Sequence, residues 1–217
     1  MKKKILWLVG FFILLMGAFY YFLFAGTDYY KAKLPVLTYV KDFSFTDQDG
    51  KQLRQRDLAN KVYVTEYFFT TCKGICPKMN MNMRTIYQEF KSEPGFAIVS
   101  HTCMPEVDSV PLLKSYAKNI GAGPNWYFVT GSKDSLYRMA RESYLLDNEK
   151  NNSINIKDQF IHTQFFALVD KEGRVRGVYD GLKKDELDKL SGDIKELLKE
   201  TKSRSGFNNS TFSNNPG

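Results

Sequence analysis

The sequence has little of what cross-links chains and holds metals: three cysteines and two histidines in 217 residues. Three cysteines close at most one bridge and leave a thiol over, so a disulfide scaffold is excluded. A closed zinc site wants four ligands. Beyond any one cysteine pair, the chain offers two histidines and one further cysteine for it. Blocks of like charge are also missing. The formal charge of +7 comes from 31 basic and 24 acidic residues. Setting aside Lys2, Lys3 and Lys4 leaves 28 against 24, or +4, spread along the chain. A nucleic-acid footprint is a concentrated basic face, so no nucleic-acid partner is expected. The lysine excess fits solubility or nearness to anionic lipid. No internal repeat is visible.

What is present begins with an apolar run. After Met1 and three lysines, Ile5 to Gly26 reads "ILWLVGFFILLMGAFYYFLFAG", 22 residues without a charged side chain. At about 1.5 Å per residue this crosses a hydrocarbon core of about 30 Å. Residues 5–26 are therefore expected to form one transmembrane anchor. Residues 1–4 are expected in the cytoplasm by the positive-inside rule. That makes a single-pass protein of a bacterial inner membrane, with its C-terminal domain on the periplasmic side. Trp7, Tyr20 and Tyr21 suit the two interfaces. A cleaved signal peptide fits less well, because the run exceeds the usual apolar core and no small-x-small site closes it. No cysteine near its end could accept a lipid.

Residues 27–40 read as a linker, 41–200 as one globular domain and 201–217, rich in Ser, Asn, Gly and Thr, as a disordered tail. Asp49-Gly50 marks a hairpin turn. "VYVTEYFFT" (62–70) is apolar nearly throughout, as suits a strand buried on both faces. Pro77 opens a helix to Phe90, with Met79, Met83, Ile86 and Phe90 at three- and four-residue intervals. Met81 points away from Met79 and Met83, whose expected role is packing. Strands follow at 96–101 and 125–131, helices at 109–121 and from a cap at Ser132, then a hairpin across Lys171-Glu172-Gly173 and a helix over 183–200. Strands alternating with helices predict an α/β sandwich with a mixed central sheet.

Cys72 and Cys76 fall between the strand at 62–70 and the helix after it, where open α/β sheets carry their chemistry. Helix N-termini favour thiolate, which is both nucleophile and metal ligand, so lowered thiol pKa values are expected. A structural bridge across so short a loop would restrict the unfolded chain little. A redox dithiol and a metal-binding pair suit an activating strand-to-helix turn better than that bridge does. Copper(I) is soft and accepts two or three ligands, so two thiolates and one imidazole suffice. Either histidine could supply the imidazole: His101 ends one strand and His162 begins another. Lys73, Lys78 and the helix N-terminus would balance the site's negative charge. A peroxide-reducing thiol would need its own arginine, for which Arg84 is the nearest downstream candidate.

The anchor, the apolar strand, Cys-x-x-x-Cys-Pro, a distant histidine and "ALVDKEGRVRGVYDG" together resemble the Sco/SenC family. The resemblance covers about residues 40–200 and is sharpest in "FFTTCKGICPKM", "TGSKDSLYRMA" and "DQFIHTQFFALVDKEG". It implies a membrane-anchored, thioredoxin-like copper chaperone that serves the binuclear copper centre of cytochrome c oxidase. Its partners would be the copper-bearing oxidase subunit and a thiol reductant. The implied cofactor is copper as Cu(I), with Cu(II) left open. The implied ligands are Cys72, Cys76 and His162, with Asp158 supporting the imidazole. The alternative is a thiol-disulfide reductase using Cys72 and Cys76, so the expected role is mainly that of a metal carrier. One stretch departs: where the family reads Val-Asp-Pro-Glu-Arg-Asp, this chain reads Cys103-Met104-Pro105-Glu106-Val107-Asp108. Cys103 and Met104 serve either as packing or as additional soft sulfur.

Overall fold

The computed structural model describes residues 2–24, 34–147, 161 and 163–200. It falls into two units, Met1–Leu34 and Pro35–Gly217. The first is helix α1, Lys2–Phe24. Its stretch Lys4–Tyr21 is long and apolar enough to span a membrane. The expected tail at 201–217 and the segment 148–160 lie outside the described residues.

The second unit is built on six strands in the order β1-β8-β7-β4-β5-β6. They are β1 (Thr38–Tyr39), β4 (Val62–Phe68), β5 (Phe96–Thr102), β6 (Trp126–Val129), β7 (Phe165–Val169) and β8 (Arg174–Asp180). β4, β5 and β6 run parallel, while β7 lies antiparallel to β4 and β8, and β1 antiparallel to β8. The sheet is thus mixed, as the alternating pattern predicts. β1 pairs Thr38 with Val175, so the sheet begins inside the stretch expected as linker. Two residues carry too short a pattern to be read from sequence.

All seven residues of β4 are buried, which explains its nearly unbroken apolar run. Its side chains alternate between two cores. Tyr63 and Tyr67 point into one with Val99, Leu136, Tyr137 and Tyr144. That core lies beneath α4 (Lys133–Arg138), which continues as a π turn over Met139–Ser143. As predicted, the Ser132 hydroxyl caps α4, accepting from the Ser135 amide at 3.2 Å. Phe68 points the other way and stacks on Tyr116 of α3 (Val110–Ile120), with ring centroids 5.2 Å apart. On that second face α2 (Cys76–Phe90) supplies Tyr87 against Trp126 and Phe90 against Phe96. α5 (Lys184–Lys199) covers the same face with Leu190, Ile194 and Leu197. Met79 and Met83 are fully buried and Met81 is 64% exposed, so the methionines divide as their spacing requires.

Gly121 ends α3 at φ 74° and Gly173 turns the β7–β8 hairpin at φ 75°, both in the left-handed region where a side chain is strained. The separate hairpin of β2 (Ser44–Thr46) and β3 (Gln52–Arg54) protects the free edge of β6. The Gln48 side chain does the same, donating to the Trp126 carbonyl at 3.1 Å and accepting from the Phe128 amide at 2.8 Å.

Candidate metal and dithiol site

β4 ends at Phe68 and α2 begins at Cys76, so the connection between them carries Cys72 and delivers Cys76 as the first helical residue. Pro77 follows at a position where its missing N–H costs nothing. Cys72 is half-buried, Cys76 is buried, and all three cysteines are free thiols. Cys72 and Cys76 lie within hydrogen-bonding reach of each other.

A carboxylate holds the start of this connection. Asp108 is fully buried. It accepts from the Thr70 hydroxyl at 2.5 Å, from the Thr70 amide at 3.3 Å and from the Thr102 hydroxyl. Thr70 is two residues from Cys72, so the partnered carboxylate fixes the approach to the thiols.

Burial changes the expected thiol chemistry. Withdrawal from water, and then the hydrogen bond with Cys72, push the Cys76 thiol up to about 12, against a smaller opposing pull from the Phe69 backbone. The expectation of a lowered pKa at the helix N-terminus does not hold for Cys76, because desolvation outweighs the helix dipole. Cys76 rests as a neutral thiol, and binding of a cation would displace its proton to solvent.

Glu66 also acts on Cys76, raising its pKa through negative charge. It sits in mid-β4, fully buried, two residues before Phe68 and on the same face. One carboxyl oxygen accepts from Ser100 Oγ at 2.8 Å, and Ser100 in turn accepts from Trp126 Nε1 at 3.0 Å. The other oxygen has no hydrogen-bond partner. Burial raises Glu66 to about 7, with Ser100 opposing. Above the same region Asn80 donates to the Tyr116 hydroxyl at 2.7 Å. Burial, Glu66, Cys76, Cys72 and Asp108 together hold the Tyr116 phenol well above its ordinary value.

Cys103 lies at the neighbouring strand end. Its thiol donates to the Phe68 carbonyl at 3.1 Å, and its amide to the same oxygen at 2.8 Å. Cys103 is 3% exposed and belongs to the aromatic core under α4. Burial, before any neighbouring charge, holds its pKa far above the ordinary thiol value. Met104 is half-buried, and its amide donates to Thr102 Oγ1 at 2.9 Å.

The two histidines separate. His101 is fully buried inside β5, stacked on Tyr67 at 5.0 Å and bonded through Nδ1 to Thr65 Oγ1 at 3.0 Å. Burial lowers it to about 3, so it is a neutral core residue, sealed from solvent. His162 and Asp158 lie outside the described residues. Ile161 is described: it is buried, and its amide donates to the Tyr137 hydroxyl at 3.4 Å. That hydroxyl donates to the Cys103 carbonyl at 2.9 Å. Among the described residues, no three His, Cys, Asp or Glu side chains come together as metal ligands. The Arg84 guanidinium lies against Gly121 at the far end of α3, which leaves the peroxidatic reading without its cation.

Glu66, Asp108 and Tyr137 escaped the sequence reading. Glu66 had a signal, being the one carboxylate in a run otherwise fit for two-sided burial. Asp108 had one too, as the final acid of the Val-Asp-Pro-Glu-Arg-Asp pattern. Tyr137 had none.

The SCO1/SenC family model matches residues 32–199. The SCO1 protein homolog of Bacillus subtilis is 32% identical over 166 residues, which cover 75% of this chain and 84% of that one. BsSco, described as a member of the Sco family of cytochrome c oxidase assembly proteins with an identified disulfide switch, superposes with a TM-score of 0.64. It is 32% identical, over 76% of this chain and 96% of that one. A SCO1/SenC family lipoprotein from Bacillus anthracis gives a TM-score of 0.66 at 28% identity, over 76% of this chain and 99% of that one.

Proposed function

The chain belongs to the SCO1/SenC family, and from that membership we propose that it is a membrane-anchored Cu(I) carrier for the binuclear copper centre of cytochrome c oxidase. Cys72, Cys76 and His162 would be its ligands. The observation that carries this reading is the thiol pair itself, two cysteines within hydrogen-bonding reach, one half-buried and one buried with its pKa raised to about 12. Cys76 holds its proton until a cation strong enough to displace it arrives, and Cu(I) is the soft monovalent ion that prefers thiolate. Two thiolates on one Cu(I) leave one negative charge, which the N-terminus of α2 and the exposed Lys73 and Lys78 would balance.

His162 as the third ligand is supported from two directions. His101 is sealed in the core, so of two histidines only one is left for the role. Ile161, one peptide bond before His162, is tied through Tyr137 to Cys103, whose thiol bonds the residue that ends β4. Asp158 would orient the imidazole. Copper would leave by ligand exchange with a thiol or imidazole of the oxidase subunit, because a three-coordinate ion is open to attack. α1 would hold the carrier at the oxidase's own membrane, with a single pass and the folded domain on the periplasmic face.

Competition for Cu(I) against a chromogenic chelator, using the reduced full-length protein in detergent, tests the ligand set. Cys72→Ser and His162→Ala are each expected to lose tight binding, at least a hundredfold. Unchanged affinity in His162→Ala overturns the three-ligand reading. A second reading, thiol-disulfide reductase, is favoured by the disulfide switch identified in BsSco, which is 32% identical. It needs the two cysteines and no imidazole, so His162→Ala should keep full dithiol reactivity.

A further inference from the structure

Three polar side chains on the sheet face beneath α2 and α3 have hydrogen-bonding capacity left over. Glu66, Ser100 and Phe128 form one rung across β4, β5 and β6 on that face. Ser100 serves one Glu66 oxygen, Oε1, and the fully buried Oε2 has no partner. Tyr116 roofs this rung. Its ring stacks on Phe68, two residues beyond Glu66, and lies edge-on to Phe128 at 6.1 Å. The Tyr116 hydroxyl accepts from Asn80 Nδ2 at 2.7 Å, which leaves its own proton to donate. Asn80 stands one helical turn after Cys76 on α2, is 3% exposed, and its Oδ1 has no partner either. Of the charges that act on Tyr116, Glu66 is the strongest and Cys76 the next, which places all of these groups in one neighbourhood.

We propose that Glu66, Asn80 and Tyr116 are a built site for one structural water, lodged behind Cys76 and tying the start of α2 to β4 and α3. The leftover capacities are two acceptors and one donor. A water molecule donates twice and accepts twice, so a single one serves all three groups. It would donate to Glu66 Oε2 and Asn80 Oδ1 and accept from Tyr116 Oη. Three bonds are the usual complement of a buried water, and orphaned buried oxygens are what such a water satisfies. None of the three partners belongs to the proposed copper ligands, so the water would sit there whether or not copper is the cargo. Its consequence for the cysteines is mechanical: it holds down the turn of α2 that begins at Cys76.

A crystal structure of the reduced full-length protein, grown from detergent at a resolution that shows ordered water, tests the proposal. Expected is one water about 3 Å from each of Glu66 Oε2, Asn80 Oδ1 and Tyr116 Oη. A direct bond that closes the space overturns it, as would an Asn80 amide turned over to donate to Glu66. Asn80→Leu fills nearly the same volume without polar atoms and should lose the water. Because the start of α2 then opens more readily, Cys76 should alkylate about fivefold faster, read residue by residue by mass spectrometry. A water that persists in Asn80→Leu shows that Asn80 is no part of the site and overturns the assignment. An unchanged alkylation rate with the water gone overturns the tie to α2.

Discussion

The two faces of the central sheet bury His101 and Glu66 in mid-strand, one on each, and the two have opposite consequences. Beneath α4, His101 is enclosed by rings: stacked on Tyr67 and edge-on to Phe45 and Tyr144. Beneath α2 and α3, Glu66 lies among Ser100 and Trp126, within electrostatic reach of Cys76 and Tyr116. Each has one polar atom without a partner, Nε2 in the histidine and a carboxyl oxygen in the glutamate. Burial therefore does not distinguish a functional group from a structural one. What distinguishes them is what lies within reach: the histidine meets aromatic rings and a threonine hydroxyl, and the glutamate meets a thiol.

The two groups also set the pH dependence of the metal-free fold from opposite sides. His101 has its pKa lowered from 6.5 to about 3. The stability it supports is complete above 6.5 and is lost as pH falls, because the unfolded chain takes up the proton first. Glu66 has its pKa raised from 4.5 to about 7. Its neutral form fits the core, so stability is complete below 4.5 and is lost as pH rises through 7. Between 4.5 and 6.5 the two slopes oppose each other and a plateau is expected.

The largest effect belongs to His101. Relative to wild type, His101→Phe should gain about 4 kcal/mol as pH falls from 6.5 to 3, after an initial cost of about 1 kcal/mol at neutral pH for the lost Thr65 contact. Urea unfolding across that range reads it, and Cu(I) affinity should stay within twofold of wild type. A large loss of copper binding would break the comparison, since the aromatic face would then belong to the site. Next comes Glu66→Gln. It should gain about 3 kcal/mol over wild type between pH 4.5 and 8, because the amide never ionises. Its Cys76 should also alkylate faster at pH 8, with one negative charge fewer beside the thiol. Parallel stability curves for wild type and variant would show that Glu66 is already neutral, and would erase the asymmetry between the faces.

Much of this frame could be read from residue order. The two-sided burial of β4, the cap at Ser132, the turn glycines at 121 and 173 and the methionine spacing on α2 all follow local rules, and each element forms near its expected bounds. The cysteine pair was legible for the same reason, lying at a strand-to-helix junction marked by Pro77. The raised thiol pKa was not. It depends on how deeply α2 buries Cys76 against the sheet, a tertiary quantity that the helix-dipole argument ignores. The choice between histidines was likewise open, because His101 looks like a strand-end residue until its stacking on Tyr67 is seen. Tyr137 was out of reach altogether, since its partners are backbone groups 34 and 24 residues away.

Asp108 sharpens the comparison from a third position. It lies at the same end of the sheet as the cysteines, fully buried like Glu66, yet its oxygens are engaged by the Thr70 hydroxyl and amide and by the Thr102 hydroxyl. A carboxylate satisfied in this way is a bracket, and its removal should act through geometry. Asp108→Ala leaves those donors without their acceptor, which should cost about 2 kcal/mol in urea unfolding at pH 7. Because Thr70 then no longer fixes the approach to Cys72, Cu(I) affinity should fall a few-fold while the pH slope assigned to Glu66 stays in place. If the Asp108 variant instead abolished that slope, the two carboxylates would be one coupled system, and the contrast between the partnered acid and the orphaned one would fail.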